Sequence, residues 1–480
     1  MEDDYFFPAQ KYSAFTQSVR RFRPSQLLPL LAGMTVREDP NYRDFEEMLL
    51  LPPWQSAAIA RESIVRGNEH RSATATAEDV RQMAKLYHEV FIEPTKATLT
   101  AIAGPLFHEQ SWWQVSLFEE QMRTISLFED STYGTEFDWT QMLGLPLTDA
   151  VRASFIVGLA VNRSGGRWIS ESLDLLYADP RVEQHAPRRD VEMTAKLLTA
   201  SIADLRKQGQ EYDARRDRDP NLAKHPLNPL LGHPMVDLGA DGIWAPVAPL
   251  VWRALLPASL YVRGRRQWGE SFTTQLGRRY ESYVGALLRN VAPDLLGEIS
   301  YGKGGGQKTV DWIWVTPNAV VLVECKSAGL SIDALAGGGQ FSTLVDRYIV
   351  GARKQIDRTA AHIVQRTKGL EQIPSDLPVY GLVVTSDPFH LANAGLEEFG
   401  EQGAVPSIVA SVRAIEHLTS LPGSDAIELL LEVFADPERR SWDLEQALRT
   451  HPAEKHPIAA EVWKRVSPSA SLRAGKKRTL

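Results

Sequence analysis

The sequence predicts a multidomain α + α/β protein: a mostly helical N-terminal region followed by an αβββαβ core built on a mixed central sheet. Three observations lead there. The chain has 480 residues, more than one hydrophobic core usually serves. Up to about residue 225 the apolar residues recur at three- and four-residue spacing. From about residue 271 the pattern becomes a helix, three strand-like runs, a long helix and a further strand-like run.

In order along the chain, residues 1–225 carry helical segments such as AEDVRQMAKLYHEVFI, WWQVSLFEEQMRTISLF and LTDAVRASFIVGLAVN. Trp112 and Trp113 sit at helical spacing and read as core. The charged, proline-bearing run 211–229 reads as a linker. A connector, 226–270, includes a hairpin over 234–246, where β-formers flank Gly239-Ala240-Asp241-Gly242. Its apolar stretch Ala245 to Val262 is interrupted by Pro246, Pro249, Arg253 and Pro257, so it reads as a buried irregular segment and not a membrane span.

The core proper is expected over 271–415. A helix at 272–291 places Phe272, Leu276, Tyr280, Tyr283, Val284, Leu287 and Val291 on one stripe. Strands are expected at 296–301, 309–315 and 319–326. A helix over 339–366 turns Phe341, Leu344, Val345, Tyr348, Ala352 and Ile356 inward. Strands follow at 379–385 and near 407–412. Residues 416–467 read as further helices, and the basic end, 468–480, as a disordered tail.

Composition narrows the class. Hydrophobic residues make up 43% and charged residues 24%, the balance of a soluble globular protein. The opening MEDDYFF has no basic start before an apolar run, and the single cysteine, Cys325, suits a reducing cytoplasm. A net charge of −7 excludes a protein that coats nucleic acid through global positive charge. It leaves room for an enzyme with a local basic cleft.

The chemistry concentrates in 309–329, TVDWIWVTPNAVVLVECKSAG. Pro317-Asn318 suits a tight turn. With that tip, paired residue numbers sum to 635, so Ile313 meets Leu322 and Asp311 meets Glu324. Opposed residues share a sheet face, and Lys326, two places beyond Glu324, joins them there. Two opposed carboxylates destabilise a sheet unless something offsets their repulsion, which hard oxygen ligation of Mg²⁺ does. A metal, a lysine and a phosphate on one face make a phosphodiester hydrolysis site. Lys326 is the one lysine in the chain with an acid two positions before it. Cys325 faces the other way and reads as a small core residue.

Asp311, twelve residues, then Glu324-Cys325-Lys326, on a hairpin between a helix bearing Glu281 and a second long helix, resembles the PD-(D/E)XK nuclease superfamily, which has the restriction-endonuclease-like fold. The resemblance covers about residues 270–415, with Val310 where the nominal motif has proline. It implies Asp311, Glu324 and Glu281 as ligands of Mg²⁺ or Mn²⁺. It also implies Lys326 as the catalytic lysine and Gln355 as the glutamine some members carry on the helix after the lysine strand. DNA is the implied substrate, since most relatives act on it. The organisation, a nuclease joined to a large helical module, is similar to effectors of prokaryotic anti-phage defence. A repair or structure-selective nuclease and a non-enzymatic helical scaffold are the other readings. The helical region would then hold a protein partner or a second copy of the chain.

Basic residues near this segment are candidates for substrate phosphates. YGKGGGQK, 301–308, lacks the P-loop pattern, but Lys303 and Lys308 stand beside the expected cleft. Arg265 and Arg266 belong to a basic run, 263–266, that could follow a nucleic-acid strand.

Overall fold

The computed structural model describes residues 9–36, 51–91, 113, 116–134, 137–216, 228–302, 304, 306–327, 340–389, 391–396, 399–400, 402–451 and 456–466. Among these, helices dominate, and the long strands lie in the C-terminal half, in keeping with an α + α/β protein. The N-terminal helices pack around their own cores, one lined by Phe15, Leu28, Ile59, Ile64, Met83 and Leu250, the other by Val157, Val161, Val191 and Val251. Trp113 is buried in the first of these. Between the helices lies a small four-stranded sheet of two- and three-residue strands, and the expected hairpin is part of it, pairing Val236 with Trp244.

Two expectations need correction. The apolar stretch from Ala245 is buried but not irregular. Two of its prolines sit at helix starts, opening helices at Pro249–Arg253 and Pro257–Arg289, where a missing N–H costs nothing. The first core helix therefore begins fifteen residues earlier than position 272, and it kinks where Gly269 takes φ 62°, ψ −138°. The expected linker is also shorter than 211–229: helix Ile202–Arg216 runs into it, and 217–227 lie outside the described residues.

The stretch Trp139–Arg163 has the length and hydropathy of a membrane span. It is two helices, Trp139–Leu143 and Leu147–Arg163, broken at left-handed Gly144, and mostly buried among the other helices.

The main sheet has five strands, in the order Ser407–Ser411, Val379–Thr385, Val320–Lys326, Trp312–Val315, Leu296–Gly297. The first three are parallel and the last two antiparallel, so the sheet is mixed. Alternation along the central strand divides it between two layers. Val321, Val323 and Cys325 pack against the first core helix and the C-terminal helices, and Val320 and Leu322 against helix Gly351–Val364. Gly381 lets that second helix lie close, since a Cβ there would stand 2.9 Å from Ile356.

The second helix runs from Gln340 to Val364 with one wide π turn over Asp346–Val350. The extra residue advances the buried stripe, so Val345, Ile349, Ala352 and Ile356 face inward and Tyr348 is only half-buried.

Helix Leu117–Phe128, from the N-terminal half, packs in the same hydrophobic core as the sheet and the C-terminal helices. Polar contacts fix it there. Arg279 donates to the carbonyls of Leu127 (2.7 Å), Asp130 (2.7 Å) and Gly134 (2.9 Å), capping the end of that helix with a cation. Arg123 reaches Glu416 through Nε at 2.8 Å, and the Tyr283 hydroxyl donates to the same carboxylate at 2.7 Å.

Candidate active site

The hairpin turn is held by Thr316, whose N–H donates to Ala319 O (2.9 Å) and whose hydroxyl accepts from Ala319 N (2.9 Å). Pairing then runs Val315 with Val320, Trp314 with Val321, Ile313 with Leu322 and Trp312 with Val323. This is the register expected from the turn. Asp311 lies one residue before its strand, and its Oδ2 accepts from Cys325 N at 2.7 Å. Asp311 and Glu324 thus meet across the hairpin.

Glu324 is 2% exposed. One oxygen accepts from Lys326 Nζ at 2.5 Å, and the other is buried with no hydrogen-bond partner. Burial and then the charge of Asp311 push its carboxyl up to about 8. Burial also raises Asp311, against the opposing pull of the Cys325 N–H and Lys326. Lys326 keeps about a fifth of its side chain in solvent (22%), so its ammonium is reachable from outside.

Glu281 reaches the same place from the first core helix. Trp312 sets the approach: its indole N–H donates to Glu281 O at 3.1 Å, Arg289 stacks on its ring at 4.6 Å, and Gly285 makes room for it. A Cβ on Gly285 would lie 2.2 Å from the ring. Burial, then Asp311, then Glu298 push the Glu281 carboxyl up to about 7.

Glu298 is the site residue that sequence reasoning missed. Leu296 pairs with Ile313 and Gly297 with Trp312, which carries Glu298 opposite Asp311. Beyond it the pairing slips: Ser300 meets Lys308, leaving an extra residue on the 309–311 side. Such bulges re-aim side chains beside functional sites. The signal was the register of a two-residue strand, which no periodicity reveals.

The other predicted residues divide. Gln355 lies on the helix beneath and donates to Thr309 O at 3.3 Å, two residues from Asp311, so it supports the bulge and does not touch the carboxylates. Lys308 is exposed and pairs with Glu298 at 2.6 Å. Lys303 lies outside the described residues. Arg265 hydrogen-bonds Tyr261, while Arg266 faces His233, so neither is drawn to the carboxylates. Cys325 is buried on the opposite face of its strand.

The site therefore brings Glu281, Asp311 and Glu324 near Lys326, with Glu298 at its exposed edge, paired with Lys308. Their oxygens are the donor type a hard divalent cation takes, and the unpartnered Glu324 oxygen is the one most in need of such a partner. As the side chains stand, no three metal-ligating groups among the described residues already converge on one point. No family model, curated protein or solved structure matches the chain.

Proposed function

We propose that the chain is a divalent-cation-dependent nuclease of the PD-(D/E)XK kind, hydrolysing DNA phosphodiesters at the face carrying Asp311, Glu324 and Lys326. The observation that carries this reading is Glu324: a carboxylate buried opposite a second carboxylate, with one oxygen unpartnered and a lysine on the other. A residue placed so costs stability, and hydrophobic packing alone gives no reason for it. The element order supports a restriction-endonuclease-like core: helix, antiparallel strands, second helix, parallel strand.

Asp311 and Glu324 would hold Mg²⁺ or Mn²⁺, with Glu281 and Glu298 within reach of its outer side. A cation held there would polarise a phosphoryl oxygen and offset the negative charge that builds on the phosphate oxygens. Lys326 would hydrogen-bond the attacking water and a non-bridging oxygen, orienting the first and stabilising the second. Hydrolysis adds water across one P–O bond, leaving one product with the phosphate and the other with a hydroxyl. Glu281, with its raised proton affinity, is suited to take up the proton that water loses. In this reading the helical region meets a protein partner or a second copy of the chain. Its helix Leu117–Phe128 is bonded to the helix that carries Glu281.

The test is cleavage of supercoiled plasmid and of linear single- and double-stranded DNA with Mg²⁺, Mn²⁺ or EDTA. Cation-dependent nicking by the wild type, lost in Lys326→Ala and Asp311→Ala, is the expected result. Wild-type cleavage by both variants would remove these residues from the mechanism. A preference for junctions or flaps over plain duplex would place the enzyme among structure-selective nucleases.

A further inference from the structure

The fold matches most of its buried arginines to acceptors. Arg123 pairs with Glu120 and Glu416, and Arg61 with Glu62 and Asp213. Arg279 serves three carbonyls, and Arg353 serves those of Phe399 (2.9 Å) and Ala392 (3.1 Å). Arg263 is bonded more sparsely: its Nη2 donates to Gly232 O, and its Nε, like that of Arg353, is shielded from solvent and has no partner. Among the described residues no carboxylate forms an ion pair with it, and burial alone lowers its proton affinity.

Next to it, His233 presents a second orphan, a buried Nδ1 without a partner. Arg266 lies one helical turn from Arg263, on the same face, exposed to solvent. Burial, then the charges of Arg263 and Arg266, hold the His233 imidazole below its usual range. The facing acid is Asp204, whose Oδ2 already accepts from the Ser201 hydroxyl at 2.6 Å. Two arginines and a histidine thus lie together where helix Pro257–Arg289 meets the turn after Pro229–Leu231, with Arg263 Nε and His233 Nδ1 shielded and unused. Uncompensated buried charge costs several kcal/mol per ion, so this arrangement calls for an anion.

We propose that Arg263, His233 and Arg266 form a phosphate-binding site at the seam between the connector and the first core helix. Three donors approaching from separate side chains suit a tetrahedral group with several oxygens better than a planar carboxylate with two. The phosphate could come from a nucleic-acid backbone or from a small phosphorylated molecule, since the recognising chemistry is the same. The proposal does not rest on the nuclease reading.

The test uses the full chain in EDTA, with inorganic phosphate titrated against chloride at matched ionic strength. Calorimetry and thermal melting are the readouts. Phosphate should bind the wild type and raise its melting temperature. Arg263→Gln should weaken binding roughly 10- to 100-fold, the loss expected for charge-assisted bonds. That variant should melt no lower than the wild type in phosphate-free buffer, because it removes an unpaired charge. Arg266→Gln, at an exposed position that folding does not need, should also weaken binding. Competition with a short oligonucleotide assigns the source: displacement by phosphate indicates a backbone site, and independent binding a site for a free phosphorylated molecule. Phosphate binding the wild type and both variants equally, or not at all, would overturn the proposal.

Discussion

Replacing Glu324 with glutamine should stabilise the cation-free protein while removing its capacity for a cation. The glutamine keeps the shape, can still accept from Lys326, and can donate to Asp311 where the carboxylate repelled it. The sign follows from the direction of the shift. Glu324 is pushed from 4.5 up to about 8 in the folded chain, so the native state holds its proton more tightly than the unfolded state. The resulting penalty is absent below pH 4.5, grows as pH rises through that value, and is complete above pH 8. Its size is about 3 kcal/mol at pH 7 and at most about 5 kcal/mol above pH 9. The assay is thermal unfolding in EDTA at pH 5 and pH 8.5. The two proteins should melt nearly together at pH 5. At pH 8.5 the variant should melt several degrees higher, at roughly 2–4 °C per kcal/mol for a unit of this size. Added Mg²⁺ should raise the wild type and leave the variant unmoved. A variant melting at or below the wild type at pH 8.5 in EDTA would refute the reasoning, because Glu324 would then be a satisfied residue.

Three further perturbations probe the support around the site. Arg279→Met strips one buried and two part-buried carbonyls of their donor and should cost about 3 kcal/mol in urea unfolding. Hydrogen exchange should rise over residues 117–134, the segment that Arg279 caps. Gly285→Ala places a methyl 2.2 Å from the Trp312 ring, which must move. A loss of roughly 1–3 kcal/mol and a shifted tryptophan emission are expected; wild-type stability would mean that the ring is not seated as described. Glu298→Gln removes a charge that helps push Glu281 up to about 7, so a carboxyl titration followed by NMR should show Glu281 ionising at lower pH. Stability should change little, because the Glu298–Lys308 pair is solvent-exposed.

The hairpin was legible because two local rules suffice for it. A Pro-Asn tip sets the register, and the two-residue period then sets which side chains share a face. The register sum of 635 carried Asp311 to Glu324 without any tertiary information. The same rules fail for Glu298, whose place depends on a bulge and on pairing with a strand of two residues. They fail also for the start of the first core helix, where three prolines suggested a break and two of them instead open helices. Buried stripes were legible over 272–287, where winding is regular, and lost their phase at the π turn of 346–350. Least legible was helix Leu117–Phe128, whose docking rests on buried charge pairs such as Arg123–Glu416, 293 residues apart. No window of sequence contains both partners.

These contacts bear on the scaffold reading. A hairpin that served packing alone would gain by exchanging Glu324 for a residue like Leu322 or Val320, its neighbours on the same face. Yet the surroundings are spent on keeping the conflict in place. The Cys325 N–H holds Asp311, the Thr309 carbonyl beside it is held by Gln355, and the Trp312 indole fixes the backbone of Glu281. The Glu281 helix is then fixed from behind by Arg279 and Tyr283, which sit two residues to either side of it. A rigid frame around mutually repelling acids is what a site needs if its carboxylates are to meet a cation without rearranging the backbone. It follows that loosening the frame and removing the acids should have opposite effects on the cation-free protein. Arg279→Met and Gly285→Ala should lower stability and Glu324→Gln should raise it, while on the proposed reading all three should weaken cation binding. A scaffold of the same structure would respond alike in the cation-free state, and Mg²⁺ would leave its melting temperature where it was.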